Sequence, residues 1–150
     1  MSAIASISVY DGAATPVLHT LLAESVARER NTVIAKWREN VTGVPTESQV
    51  SLTIKLEKLK SGVYRVERRL VVPVMESISG QNAAGYTAAP RTAYENTDIH
   101  IGLYHPRSDV TGRRLARQMG INLDGNISTS VAAATTGPIP ELMDMLLAPT

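Results

Sequence analysis

Lys55, Arg65 and Arg69 are the residues with the clearest chemistry to offer. They fall at alternate positions of two segments joined by a tight turn at Lys60-Ser61-Gly62. A period of two puts alternate residues on one strand face, so these cations share a face with Ser51, Thr53 and Glu67. Cationic groups on an open sheet face suit contact with phosphate, which is mainly electrostatic and salt-sensitive. They equally suit a solvated face, because antiparallel sheets commonly turn one side to water. Further on, Tyr94, Asn96, Asp98 and His100 alternate against Ile99, Ile101 and Leu103. Tyr94 could stack on an unpaired base, worth roughly 1–3 kcal/mol, or be a half-buried strand tyrosine. Asn96 could read a base edge or bond across strands.

Asp98 and His100 also raise an acid–base reading. Residues i and i+2 on a strand lie roughly 6–7 Å apart, and no third group stands ready to orient the pair. His19 and His105 have no further His or Cys at metal-ligand spacing. With no cysteine in the chain there is no disulfide, thiolate metal site or cysteine nucleophile. The expectation is a protein without catalytic residues, metal or cofactor. Trp37 reads as core, and Met143 as part of a helix stripe.

The elements that must carry these residues follow from pattern. Ile4 to Tyr10 alternates, Asp11-Gly12 signals a turn through the freedom of glycine at positive φ, and Val17 to Leu22 returns, predicting a β-hairpin. Residues 23 to 31 read as a helical turn or a polar connector, 32 to 38 as a short strand and 40 to 47 as a loop. On the strand at 49 to 58, Val50, Leu52, Ile54 and Leu56 oppose Ser51, Thr53, Lys55 and Glu57. On the next, Tyr64, Val66, Leu70 and Val72 oppose Arg65, Glu67, Arg69 and Val71, with Arg68 interrupting the apolar side. Glu76 to Pro90 is a long loop containing Gly80 and Gly85, and loops of that length are usually functional. Thr92 to Tyr104 is a third alternating strand.

After Pro106 the period changes. Ser108 is placed to cap a helix through Met119, ended by Gly120, with Arg113, Arg114 and Arg117 set toward its C-terminal end. Ile139, Leu142, Met143 and Leu146 form one stripe of a last helix over 138–147. Hairpin, meander, then helices is an α+β order within one domain spanning residues 1–150. The aliphatic sheet face needs cover, and the C-terminal helices are the available cover.

Composition bounds the reading. A length of 150 residues fits one domain, and aromatics at 4% leave a core of Val, Ile, Leu, Met and Ala, a hint that partner subunits complete it. The net charge of +1 decides nothing about nucleic acid, because placement matters. No apolar run approaches the ~20 residues of a membrane-spanning helix, and Met1 to Ser6 lacks the pattern of a signal peptide.

Several short motifs, in collinear order over nearly the whole chain, resemble coat proteins of levivirus-type RNA bacteriophages. Val9-Tyr10-Asp11-Gly12 with Thr15-Pro16-Val17 is similar to that family's opening hairpin, and Ala35-Lys36-Trp37 to its early strand. Thr53, Lys55, Arg65, Glu67 and Arg69 ahead of Val72-Pro73 fall where RNA-facing residues stand. Tyr94, Asn96 and Asp98 match a Tyr-x-Asn-x-acid pattern, with Asp98 in place of the usual Glu, and Gly137-Pro138-Ile139-Pro140 resembles the entry to the last helix. The loop between the helices is longer than the family pattern. The resemblance implies a homodimer with one continuous sheet, the helices of each subunit lying over the other's sheet. It implies a quasi-equivalent icosahedral shell assembled in the host bacterial cytoplasm, with single-stranded genomic RNA on the inner sheet face. A genomic hairpin bound there can repress replicase translation.

On this reading Ser51, Thr53, Lys55, Arg65, Glu67, Arg69, Tyr94, Asn96 and Asp98 form one RNA-facing surface. The Glu76–Pro90 loop is expected to make contacts between dimers. The competing readings are a small α+β enzyme or ligand-binding dimer, with that loop as lid over Tyr94, Asp98 and His100, and an RNA-binding regulator that stays dimeric.

Overall fold

The computed structural model describes residues 3–77 and 80–150. Met1 and Ser2 of the chain start, and Ile78 and Ser79 of the long loop, lie outside the described residues. Among the described residues six antiparallel strands follow one another in a single sheet in chain order. They are β1 (Ile7–Tyr10), β2 (Leu18–Glu29), β3 (Thr32–Arg38), β4 (Ser51–Lys58), β5 (Tyr64–Met75) and β6 (Thr92–Tyr104). Helices α1 (Val110–Asp124) and α2 (Pro138–Asp144) complete the α+β order that the pattern predicts.

Alternation decides which side is core. Leu21, Ala35, Trp37, Leu52, Ile54 and Val66 come from four strands and are buried together with Leu142 and Met143 of α2 and Ala148. Trp37 is core, as its pattern implied, and its Nε1–H donates to the Ala5 carbonyl at 2.8 Å. Ile4 N–H bonds the Thr150 carbonyl at 2.9 Å, so the segment before β1 is tied both to Thr150 and, through Trp37, to the sheet.

Several local expectations are corrected. The first turn is held by a side chain: Asp11 Oδ1 accepts from Val17 N–H at 2.9 Å and Ala13 N–H at 3.2 Å, and Gly12 is not at positive φ. Residues 23 to 29 are strand, not connector. A bulge between Ala23 and Ser25 resets the register, and β2 then turns through Arg30 (φ 39) directly into β3. Asp109, not Ser108, caps α1, its Oδ1 accepting from Gly112 N–H at 2.7 Å. The helix runs past Gly120 to Gly125, because Ile121, Asn122 and Leu123 continue it at little cost in backbone strain. Arg113, Arg114 and Arg117 consequently sit mid-helix, and the last turn carries no basic residue. Helix α2 stops at Asp144, with Leu146 at φ 55.

Cover of the aliphatic face is uneven. Helix α2 buries Leu142 and Met143 on the sheet, while α1 leaves Leu115, Met119 and Leu123 at 64, 65 and 75% exposure. Strand β6 lies at the sheet edge. Its Ile99, Ile101 and Leu103 are exposed on the opposite side of the sheet, across from Arg69, Glu67 and Arg65.

Candidate nucleic-acid interface

The sheet face opposite the helices is set by cross-strand partners. Thr53 pairs with Arg69, Lys55 with Glu67 and Glu57 with Arg65, which brings Ser51, Thr53, Lys55, Arg65, Glu67 and Arg69 onto one surface. Strand β3 adds two cations that the sequence reading missed: Lys36 pairs with Thr53 and Arg38 with Ser51. Their signal was available. Ala35 and Trp37 point into the core, so their even-numbered neighbours must point away. On β3, β4 and β5 this face carries the cations Lys36, Arg38, Lys55, Arg65 and Arg69 against the carboxylates Glu57 and Glu67. A chain of net charge +1 has thus gathered positive charge on one side of its central strands.

The charges are laced together. Lys55 Nζ lies 2.9 Å from Glu57 Oε2, and Arg65 Nη2 donates to Glu67 Oε2 at 3.1 Å. Arg69 Nε lies 3.7 Å from the other Glu67 oxygen, and Arg38 meets Glu24 at 3.0 Å. Glu67 therefore spaces two guanidinium groups, leaving the Arg69 side chain half exposed. Partly exposed pairs of this kind contribute little to stability, so the cations remain available to an anionic partner at small cost.

Tyr94, Asn96 and Asp98 do not join this surface, which corrects the expected single face. They pair with Val74, Val72 and Leu70, on the helix side of the sheet. The cause is one residue. Met75 pairs with Thr92 but Val74 pairs with Tyr94, so Ala93 is an extra residue in β6 and inverts the parity of everything after it. Asp98 forms an ion pair with Arg68, and Tyr94 is 59% exposed. His100 borders a cavity of about 50 Å³ together with Arg68, Arg117, Ile121, Asp124, Ile139 and Met143. Neither Tyr94 nor Asp98 lines that cavity, so the three do not enclose a common ligand volume.

Two further groups of titratable side chains brace the fold. Asp144 is buried beneath α1, where Arg117 Nε and Nη2 donate to its two oxygens at 2.8 and 2.9 Å and Arg114 Nε donates at 3.2 Å. Burial opposes ionisation of Asp144, but the hydrogen bonds from Arg117 and Arg114 outweigh it and hold the carboxyl below its usual range. Arg113 Nε donates to the Asp144 carbonyl at 2.7 Å. This cluster was also missed, although Arg113 and Arg117 at i and i+4 signal one helix face. His19 Nδ1 bonds Glu39 at 3.0 Å, with Asp11 3.7 Å from Nε2. Backbone hydrogen bonds from Val17 and Ala13 hold Asp11 low. Among the described residues no three His, Cys, Asp or Glu side chains form a metal-binding group.

The long loop is closed at its base. Glu76 N–H bonds the Arg91 carbonyl at 2.9 Å, and Arg91 Nη2 donates to Glu76 Oε1 at 3.1 Å. At its tip Asn82 Oδ1 accepts from Ala84 and Tyr86 N–H groups, and Tyr86 is 74% exposed.

Comparison with known proteins bears on this geometry. The family model described as levivirus coat protein matches residues 2–123. A virus-like particle of bacteriophage EMS014 is similar at 28% identity over 99% of both chains, with a TM-score of 0.70. A virus-like particle of Beihai levi-like virus 21 is similar at 25% identity, covering 87% of this chain and 98% of the other, with a TM-score of 0.63. The capsid protein of bacteriophage GA, at 15% identity over 95% of this chain and 94% of the other, shares the fold with a TM-score of 0.57. No curated protein sequence matches the chain.

Proposed function

The chain belongs to the levivirus coat protein family, and on that premise we propose that its cationic sheet face holds the single-stranded RNA genome inside a shell of self-associated dimers. The family is structural rather than catalytic, and the role of the chain is that of a capsid subunit in the virion. The observation that supports RNA contact is the gathering of Lys36, Arg38, Lys55, Arg65 and Arg69 on one side of β3, β4 and β5. Phosphate neutralisation by such a patch needs no base recognition and suits packaging of a long RNA. Ser51 and Thr53 lie among the cations and can donate hydrogen bonds to phosphate or ribose.

What a single copy leaves uncovered supports dimerisation. The apolar residues of α1 and of β6 are both exposed, and β6 ends the sheet. Pairing β6 with its counterpart would continue the sheet and double the cationic patch. A doubled patch could bind a genomic hairpin and so repress replicase translation. The Glu76–Pro90 loop, pinned by Arg91, would then make contacts between dimers.

The test is the RNA content of purified particles. Lys55→Ala with Arg69→Ala is expected to reduce nuclease-protected RNA per particle while leaving dimers intact. Normal packaging by the double variant at moderate salt would remove the proposed RNA face without touching the capsid role.

A further inference from the structure

The strands run antiparallel in chain order, so successive connections fall at alternate ends of the sheet. Residues 11–17, 39–50 and 76–91 lie at one end, and residues 30–31, 59–63 and 105–109 at the other. Charge divides with the ends. The first set carries Asp11, Glu39, Glu47 and Glu76 against the single cation Arg91. The second carries Arg30, Lys60 and Arg107 against Asp109, which is engaged in capping α1. Lys58 and Glu29, the last residues of β4 and β2, offset each other. A chain of net charge +1 is thus basic at one end of its sheet and acidic at the other.

Both ends are held in shape. At the basic end Lys58 N–H bonds the Asn31 carbonyl at 2.9 Å, joining the first two turns. A side-chain carbon on Gly62 would lie 4.0 Å from the Pro106 ring, so the third turn adjoins the second. Arg30, Lys60 and Arg107 are exposed, and among the described residues none of them forms an ion pair. At the acidic end Glu39 is held by His19 and Glu76 by Arg91. Glu47 is exposed and, among the described residues, has no such partner. Its loop is braced by Gln49, whose Nε2 donates to the Val41 and Val44 carbonyls at 3.0 and 2.9 Å. Ser48 Oγ meets Thr92 Oγ1 of β6, fixing the same loop to the sheet.

Two copies paired about a two-fold axis through β6 run those strands antiparallel. Each side of such a dimer shows the basic end of one copy beside the acidic end of the other. A second dimer set alongside brings acidic opposite basic at both places. We propose that dimers join through these ends, the Arg30, Lys60 and Arg107 turns of one copy meeting the Glu47 loop of a copy in the next dimer. This rests on the capsid reading above and extends it by assigning a partner to the sheet ends. Another copy fits better than RNA, because it answers both ends, whereas an anionic polymer is repelled by one of them. Exposed charges are screened beyond ~8 Å at physiological salt. The contact therefore acts at short range and selects which ends meet more than how tightly they hold.

Purified dimers of charge variants test it, with particle yield read by sedimentation at ~0.1 M salt. Lys60→Glu with Arg107→Glu is expected to lower the yield at least about tenfold, because like charges then meet at the junctions. Glu47→Lys, a single reversal, is expected to lower it about threefold. All three changes in one chain restore opposite charges and should raise the yield at least about fivefold over the basic-end variant. Normal yield from the basic-end reversal, or no recovery in the combined variant, overturns the proposal. Failed recovery together with weaker RNA binding in a filter assay would assign the basic turns to RNA instead. Lys60→Gln with Arg107→Gln covers the case in which a reversal does not fold. It should lose yield and flatten the salt dependence of assembly, and unchanged yield from it also overturns the proposal. Wild-type dimers that form no shells defeat the capsid reading, whereas shells indifferent to these changes defeat only the contact.

Discussion

Glu67 is the residue on which the electrostatics of the proposed interface turns. It lies between Arg65 and Arg69 and neutralises part of both. Glu67→Gln is expected to free those guanidinium groups, so binding of a generic single-stranded RNA should tighten and its dependence on salt should steepen. Weaker binding by Glu67→Gln in a filter-binding salt titration would instead make Glu67 a direct acceptor for RNA. Lys36→Ala works in the opposite direction and should lower the slope of log K against log salt by about 0.7, the value for one phosphate contact on a single strand. Asp144 belongs to the same scale. It is buried and held by Arg117 and Arg114, and Asp144→Asn should cost about 3 kcal/mol by leaving the buried Arg117 partly unpaired. Its carboxyl is held below its unfolded value, so its contribution is full above about pH 4 and is lost as the pH falls further. Urea denaturation at pH 7 and pH 3 checks both statements: the gap between wild type and Asp144→Asn should narrow at the lower pH.

At the scale of elements, what was legible depended on whether a pattern ran uninterrupted. β6 at Thr92–Tyr104 has the bounds that alternation assigns it, and β3 at Thr32–Arg38 those that its β-branched residues and Trp37 suggest. β4 and β5 place six of the expected site residues on one face for the same reason. The failures trace to single residues that alternation does not register. Ala93 is a small residue in a regular-looking strand, and its bulge sends Tyr94, Asn96 and Asp98 to the other side. The bulge between Ala23 and Ser25 likewise hid the second half of β2 behind a charged stretch. Gly120 read as a stop, but a glycine inside a helix only weakens it. The loop that follows β5 yields an element-scale prediction. Glu76 and Arg91 close its base, so removing residues 80 to 86 should leave the sheet and the dimer in place while changing particle size or yield. Sedimentation analysis of that deletion reads both, and unchanged particles would deny the loop a part in assembly.

For the whole molecule, the fold makes sense as part of something larger. Its core is small and built of aliphatic residues around one tryptophan, its last strand has an open edge, and its longer helix shows apolar residues to solvent. Exposed apolar surface on that scale marks an interface. An obligate dimer is expected, with an interface that exceeds the ~1,600 Å² of an ordinary complex, so dilution should unfold the protein rather than release folded monomers. In that assembly the subunit is proposed to close into a shell with Lys36, Lys55, Arg65 and Arg69 turned inward toward RNA. An electron cryomicroscopy reconstruction of particles formed by the purified chain decides the matter. Closed shells with the β3–β5 cationic face lining an RNA-filled lumen are the predicted result; the absence of shells, or shells with that face on the outer surface, would contradict it.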